Sequence, residues 1–237
     1  MVDYFYKEIS SRYADFDPAH REDHVLTVIA QAMELLERMP DWIASQKSMG
    51  TDVSCWDVEV RRDILLAAAA CHDLGLANGR ENHHLDSGKM IRADHRLREW
   101  FSEEDIEIIA QAAEDHRASG KSAPRSIYGM LVAEADRVID GDTIIRRTIQ
   151  FGHKHYPELD REGHLERAVA HLREKYGYGG YLKLWIPWSD NAARLSELRE
   201  TIADDKAIRS KVSVIYDQIT EHATAVRKAG LRQSGPE

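Results

Sequence analysis

Residues 64–75 read Ile64-Leu-Leu-Ala-Ala-Ala-Ala-Cys-His-Asp-Leu-Gly75. From Ile64 to Ala70 every side chain is apolar. A helix built from this run is apolar on all sides, so it belongs at the centre of a core rather than on its surface. It is expected to start near Asp57 and to end at Cys71. At its end stand an imidazole and a carboxylate, His72 and Asp73. Burying either is costly unless it is paired or bound to a metal. Fold and function both turn on what meets this pair.

Working outward, Val25, Val28, Ile29, Ala32, Leu35 and Leu36 repeat at the i, i+3, i+4, i+7 spacing of an amphipathic helix. Asp17-Pro18 supplies an N-cap residue followed by a first-turn proline, and Pro40 is expected to follow the helix end. A third helix is expected from Glu81 to Phe101. A fourth starts at Ser102, whose spacing to Asp105 fits a capping box, with Glu103 and Glu104 suited to the positive helix end. Its core stripe is Ile106, Ile109 and Ala113. A fifth runs from Ser126 to Asp140 with Ile127, Leu131 and Val138 inward. Beyond Asp140 charge and aromatics increase. The glycines between Lys175 and Tyr181 mark a loop, a last long helix is expected from Asn191 to Arg227, and a frayed tail from Gly230 to Glu237. No run of alternating β-branched residues demands a sheet. The expected fold is all-α: a helical core over 1–140 and a C-terminal helical extension over 141–237 packed on it.

Composition narrows the function. Hydrophobic residues make up 43% of the 237, enough for a sizeable core, and the formal net charge is −9. A protein that coats nucleic acid needs a basic face, so that class is set aside. A small phosphorylated substrate stays open, because a metal can offset its charge locally. The two cysteines, Cys55 and Cys71, lack C-x-x-C spacing, which argues against a zinc ribbon or redox pair. Met1 to Ser10 does not read as a signal peptide, and the Ile64–Cys71 run is far shorter than the roughly 20 residues that cross a membrane. A soluble, cytoplasmic protein is expected. No Gly-rich phosphate loop is present, which argues against ATP-driven chemistry.

Six positions stand out on these helices: His24, His72, Asp73, His83 or its neighbour His84, His116 and Asp136. His24 lies one turn before Val28 on the apolar stripe. His116 continues the Ile106, Ile109, Ala113 stripe. Asp136 is flanked by Val132, Ala135 and Ile139. One inward histidine is ordinarily a satisfied core residue. Four histidines and two aspartates on converging apolar faces are harder to explain separately. Imidazole with carboxylate suits Zn, Mn or Fe. Six ligands exceed the needs of one catalytic ion and suit two that share a carboxylate, activate a water and stabilise a leaving phosphate oxygen.

The ordered set resembles a known family. Ala68-Ala-Ala-Cys-His-Asp-Leu-Gly75 is similar to the signature of the HD superfamily. His24, with Val28 and Ala30 after it, resembles that family's first histidine, and Glu134-Ala-Asp-Arg137 its final aspartate motif. His83-His-Leu-Asp-Ser-Gly88 and Glu114-Asp-His-Arg117 resemble the extra histidine motifs of binuclear members. The likeness spans Tyr13 to Asp140. It implies a helical bundle around a metal site that hydrolyses phosphomonoesters or phosphodiesters, often in nucleotides. It implies two divalent ions, with His24, His72, Asp73, His116 and Asp136 as ligands and Asp73 as the bridging, catalytic one. In related proteins a ligand histidine is followed four and five residues later by two small residues. His83 meets that rule with Ser87 and Gly88, which favours it over His84, left as a neighbouring donor or alternative ligand. Iron, manganese or zinc would serve, with nickel a guest after purification.

Two rival readings stay open. Some binuclear members are similar in ligand set but use mixed-valence iron to activate oxygen on small organic substrates. A non-catalytic nucleotide-binding module is the other. Lys89 and Arg117 are candidates for holding a substrate phosphate, against a solvated or salt-bridged reading. Asp115 is a candidate to orient the His116 ring. Asn78-Gly-Arg80 reads as a connecting turn, and His20 as an exposed residue at a helix start. The aromatic segment 175–188 reads as packing between the C-terminal helices and the core, or as a lid that stacks on a base.

Overall fold

The structure, a computed structural model, describes residues 1–17, 20–118, 122–137 and 139–233. It is all-α, and no strand occurs among the described residues. The helices are α1 (Glu22–Ser48), α2 (Arg62–Cys71), α3 (His83–Ala93), α4 (Glu103–Asp115), α5 (Ile127–Ala135), α6 (Gly141–His155), α7 (Arg161–Tyr176), α8 (Asn191–Ala203) and α9 (Asp205–Gln233). The chain divides into two compact units. One comprises Met1–Val138 with Lys183–Ser189, the other Ile139–Leu182 with Asp190–Glu237. No helix among the described residues is long and apolar enough to cross a membrane.

In the first unit α2 is the central element. Every side chain from Ile64 to Cys71 is buried. Its three large residues, Ile64, Leu65 and Leu66, each contribute about 1.5–3 kcal/mol by leaving water. The four alanines after them are small enough for α1, α4 and α5 to pack directly against α2. Tyr4–Ile9, a π-helical turn, also packs on α2, and Phe5, Ile9 and Tyr13 are fully buried at four-residue spacing. Trp188 returns to this core from the far end of the sequence. Its ring lies 4.9 Å from Trp42 and 5.2 Å from Trp56, and its Nε1 donates to the Leu35 carbonyl at 2.8 Å.

Several boundaries differ from those expected. The first helix starts at Glu22, and the expected first-turn Pro18 lies outside the described residues. Pro40 does not follow α1 but sits inside it. An internal proline costs one backbone hydrogen bond, about 3 kcal/mol; burial of Met39 and Ile43 and the packing of Trp42 on Trp56 and Trp188 offset it. The second helix begins at Arg62, because Arg61 is extended and its N–H donates to the Tyr128 hydroxyl. The third ends at Ala93 rather than Phe101. Asp94 is extended there, and its side chain accepts from the Arg96 N–H at 3.0 Å to open a short 3-10 turn, His95–Glu99. The capping box of Ser102 and Asp105 forms as its spacing predicts. The fifth helix stops at Ala135, and Val138 lies outside the described residues.

In the second unit α6 packs on α7, and both pack on α9. Asp140 and Asp160 cap α6 and α7 through the N–H groups of Thr143 and Gly163, each at 2.8 Å. The last expected helix is two: at Asp204 the backbone turns extended, and the Asp204 carboxylate caps Lys206 and Ala207. Helix α9 continues to Gln233, and residues 234–237 lie outside the description.

Candidate metal centre

The six residues converge at the end of α2. His72 and Asp73 follow its last turn and are buried. His24 arrives in the first turn of α1, His83 opens α3, His116 ends α4 and Asp136 ends α5. His24 Nε2 lies 3.3 Å from Asp136 Oδ1 and 3.9 Å from Asp73 Oδ2. His72 Nε2 lies 3.4 Å from Asp73 Oδ2 and 3.8 Å from Asp136 Oδ1. On the other oxygen, Asp73 Oδ1 is 3.4 Å from His83 Nε2 and 3.3 Å from His116 Nε2. Two triads therefore share Asp73: His24, His72, Asp73 and Asp73, His83, His116. Within each, the ligand-type atoms lie within 4.8 Å of one another, close enough to hold a metal ion.

Three of the histidines are set by one device. His72, His83 and His116 each turn Nδ1 to the carbonyl three residues earlier, Ala69, Arg80 and Ala113, at 2.8, 2.8 and 2.5 Å. A neutral imidazole with its proton on Nδ1 presents a lone pair at Nε2. In the neutral rings all three Nε2 atoms thus face the centre as acceptors. The buried Nε2 atoms of His24 and His72 have no hydrogen-bond partner among the described residues. Buried polar atoms without a partner are costly in a dry interior. The donor set, imidazole nitrogens with carboxylate oxygens, fits a divalent ion of the zinc, manganese or iron type.

Electrostatics agree. Burial disfavours the charged forms of Asp73 and Asp136, yet the facing histidines hold both carboxylates well below their usual range. Burial likewise opposes a charge on His72, and Asp73 and Asp136 outweigh it, pushing His72 up to about 9. Without another cation, a proton on His72 is what balances the buried Asp73 and half-buried Asp136 carboxylates.

The remaining candidates sort unevenly. His84 belongs to neither triad. Its ring lies 5.6 Å from that of His83, and burial together with Arg117 lowers it to about 4. Arg117 is anchored by a 2.7 Å bond to the Glu81 carbonyl, two residues before His83. Lys89 pairs with Asp86 at 2.7 Å and is largely solvated. Asp115 does not orient His116, whose Nδ1 is taken by Ala113; it holds Arg125. His20 is half-buried rather than exposed. Because α1 begins after it, its ring packs edge-on to His24 at 5.6 Å and Nδ1 meets Asp17 at 2.8 Å. The aromatic segment divides: Ile186 and Trp188 are buried in the core of the first unit, and Tyr178 and Tyr181 are exposed.

Tyr13 escaped the sequence reading. Its hydroxyl donates to the Ala70 carbonyl at 2.9 Å and accepts from the Asp73 N–H at 3.2 Å, pinning the turn that carries the central pair. The signal was present in the Phe5, Ile9, Tyr13 spacing.

Among family models, one described as HD domain matches residues 21–139, just over half of the chain. Comparison with curated proteins and with solved structures gives no match.

Proposed function

Because the chain belongs to the HD domain family, a superfamily of metal-dependent hydrolases, we propose that it hydrolyses a small phosphomonoester or phosphodiester, a nucleotide foremost, at a binuclear centre. The observation that carries this reading is the shared carboxylate: Asp73 offers one oxygen to each of two triads. Two divalent ions bound there, iron, manganese or zinc, with nickel a guest after purification, would lower the pKa of a shared water and offset phosphate charge. The chain supplies the rest. The carbonyls of Ala69, Arg80 and Ala113 fix three imidazoles in one tautomer. Asp73, common to both triads, would hold the ions and orient the attacking water. Arg117, held by Glu81, presents its guanidinium to the substrate phosphate beside His83 and His116. Lys89, paired with Asp86, plays the smaller part, and His84 acts as a hydrogen-bonding neighbour. Cys55 and Cys71 are both free, which favours a reducing, cytoplasmic setting for this chemistry.

The test is phosphate release from a panel of nucleotides and sugar phosphates, with Fe, Mn or Zn, in air and without oxygen. Oxygen-independent release, abolished in Asp73→Ala, is the expected result. Oxygen consumption coupled to product, with no phosphate released, would move the protein to the di-iron oxygenases. Tight nucleotide binding without any turnover would make it a binding module.

A further inference from the structure

A cleft of about 550 Å³ opens in the first unit, within the size range of small-molecule sites. One wall is the segment before α1, with Arg12, Asp15, Phe16 and Asp17; the other carries Leu76, Ala77 and Arg80. Both walls are tied to the metal centre. Leu76 bonds to the Asp73 carbonyl at 3.0 Å, and the Arg80 carbonyl holds His83. The Phe16 ring packs at 5.2 Å on Tyr13, which pins Asp73. Asp17 meets both His20, which packs on His24, and the Arg80 guanidinium at 3.5 Å.

The lining does not suit a bare phosphate, which would want an excess of cations. Here two guanidiniums are matched by two carboxylates, and an aromatic ring shares the lining with two aliphatic side chains. We propose that this cleft is the nucleoside subsite of the centre: a base lies against Phe16 and the Leu76–Ala77 wall, Asp15 accepts hydrogen bonds from sugar hydroxyls or an exocyclic amine, and Arg12 meets the phosphate as it enters the metal centre. The side chain of Arg12 has no ion-pair partner among the described residues, so it is available for that contact. The proposal rests on the phosphohydrolase reading only in taking the phosphate end to lie at the metal centre.

The test is calorimetric titration of the full chain with hydrolysis-resistant phosphonate analogues of AMP and UMP, with ribose 5-phosphate, and with inorganic phosphate. The nucleotide analogues should bind about tenfold tighter than ribose 5-phosphate, the scale of one base–aromatic stack. Phe16→Leu, which keeps an apolar side chain against the core, should erase that difference and leave inorganic phosphate binding unchanged. Arg12→Ala, at an exposed position, should weaken both nucleotide analogues and ribose 5-phosphate. Equal affinity for nucleotide and sugar phosphate, or a Phe16→Leu protein that binds nucleotide as the wild type does, would overturn the subsite. Phe16-dependent nucleotide binding without phosphate release from any ester would keep the subsite and remove the hydrolase. Turnover of sugar phosphates indifferent to Phe16 would do the reverse.

Discussion

The Nε2 atoms of His83 and His116 lie 3.3 Å apart, and both Nδ1 atoms face backbone carbonyls. A neutral imidazole has one ring proton. With that proton at Nδ1 in each ring, two lone pairs point at one another and at Asp73 Oδ1, 3.4 and 3.3 Å away. Three acceptors around one point repel unless a proton or a metal ion lies among them. His24, His72 and the other oxygen of Asp73 make a second such focus. One carboxylate, Asp73, joins the two foci.

Tyr13 holds the backbone of Asp73 in place. In Tyr13→Phe the buried Ala70 carbonyl and Asp73 N–H lose their partner, at a cost of about 1–3 kcal/mol. Metal affinity should fall roughly 10–100-fold, as for other residues that orient ligands. Chemical denaturation and competition with a chelator measure the two effects. A folded variant with unchanged metal affinity would remove Tyr13 from the positioning role.

Gly75 lets the start of α3, which carries His83, lie directly against the turn after Asp73. A Cβ there would lie 2.1 Å from the His83 carbonyl and 2.5 Å from the Ser87 N–H, and the Gly75 N–H already donates to Ser87 Oγ at 2.9 Å. Backbone cannot yield as a side-chain tip can, so Gly75→Ala should push α3 outward at about 1–3 kcal/mol. The His83 half should empty first, leaving one ion per chain bound by His24, His72 and Asp73. Full metal content with an unchanged melting temperature would contradict this.

His72 makes the metal-free protein sensitive to base. Its folded-state value, about 9, lies above the ordinary histidine value of 6.5. A raised histidine contributes stability that is fully present below about 6.5 and is lost as pH rises through about 9. For a wholly buried ring the loss is on the order of 3 kcal/mol. Metal entry displaces the same proton, so affinity should increase with pH up to about 9. Urea denaturation across this range should show the metal-free protein weakening while the loaded one does not. Equal curves for both forms would mean that His72 carries no proton in the free site.

The centre was legible because its residues interrupt apolar patterns. His24 and His116 sit on stripes, and the His72-Asp73 pair closes the run Ile64–Cys71, which has no polar face. The rule favouring His83 also has a structural cause. Ser87 bonds to Gly75, and a Cβ at Gly88 would meet Glu114 at 2.3 Å, so both small residues let α3 seat against its neighbours. Helix ends were less legible. Pro40 marks an end by local preference, yet tryptophans distant in sequence carry α1 past it. Asp94 and Asp204 break helices through side-chain bonds to N–H groups just ahead, a competition that periodicity does not register. The cleft beside the centre was illegible for another reason: its walls come from segments without regular periodicity.

The most direct measurement is the metal content of the full chain purified without chelators or a metal-affinity column, set beside Asp73→Ala. Removing the shared carboxylate takes a ligand from both triads at once. About two ions per wild-type chain, as a binuclear centre requires, and none in the variant is the predicted result. No ion in the wild type, even after incubation with Fe, Mn and Zn, would contradict the account.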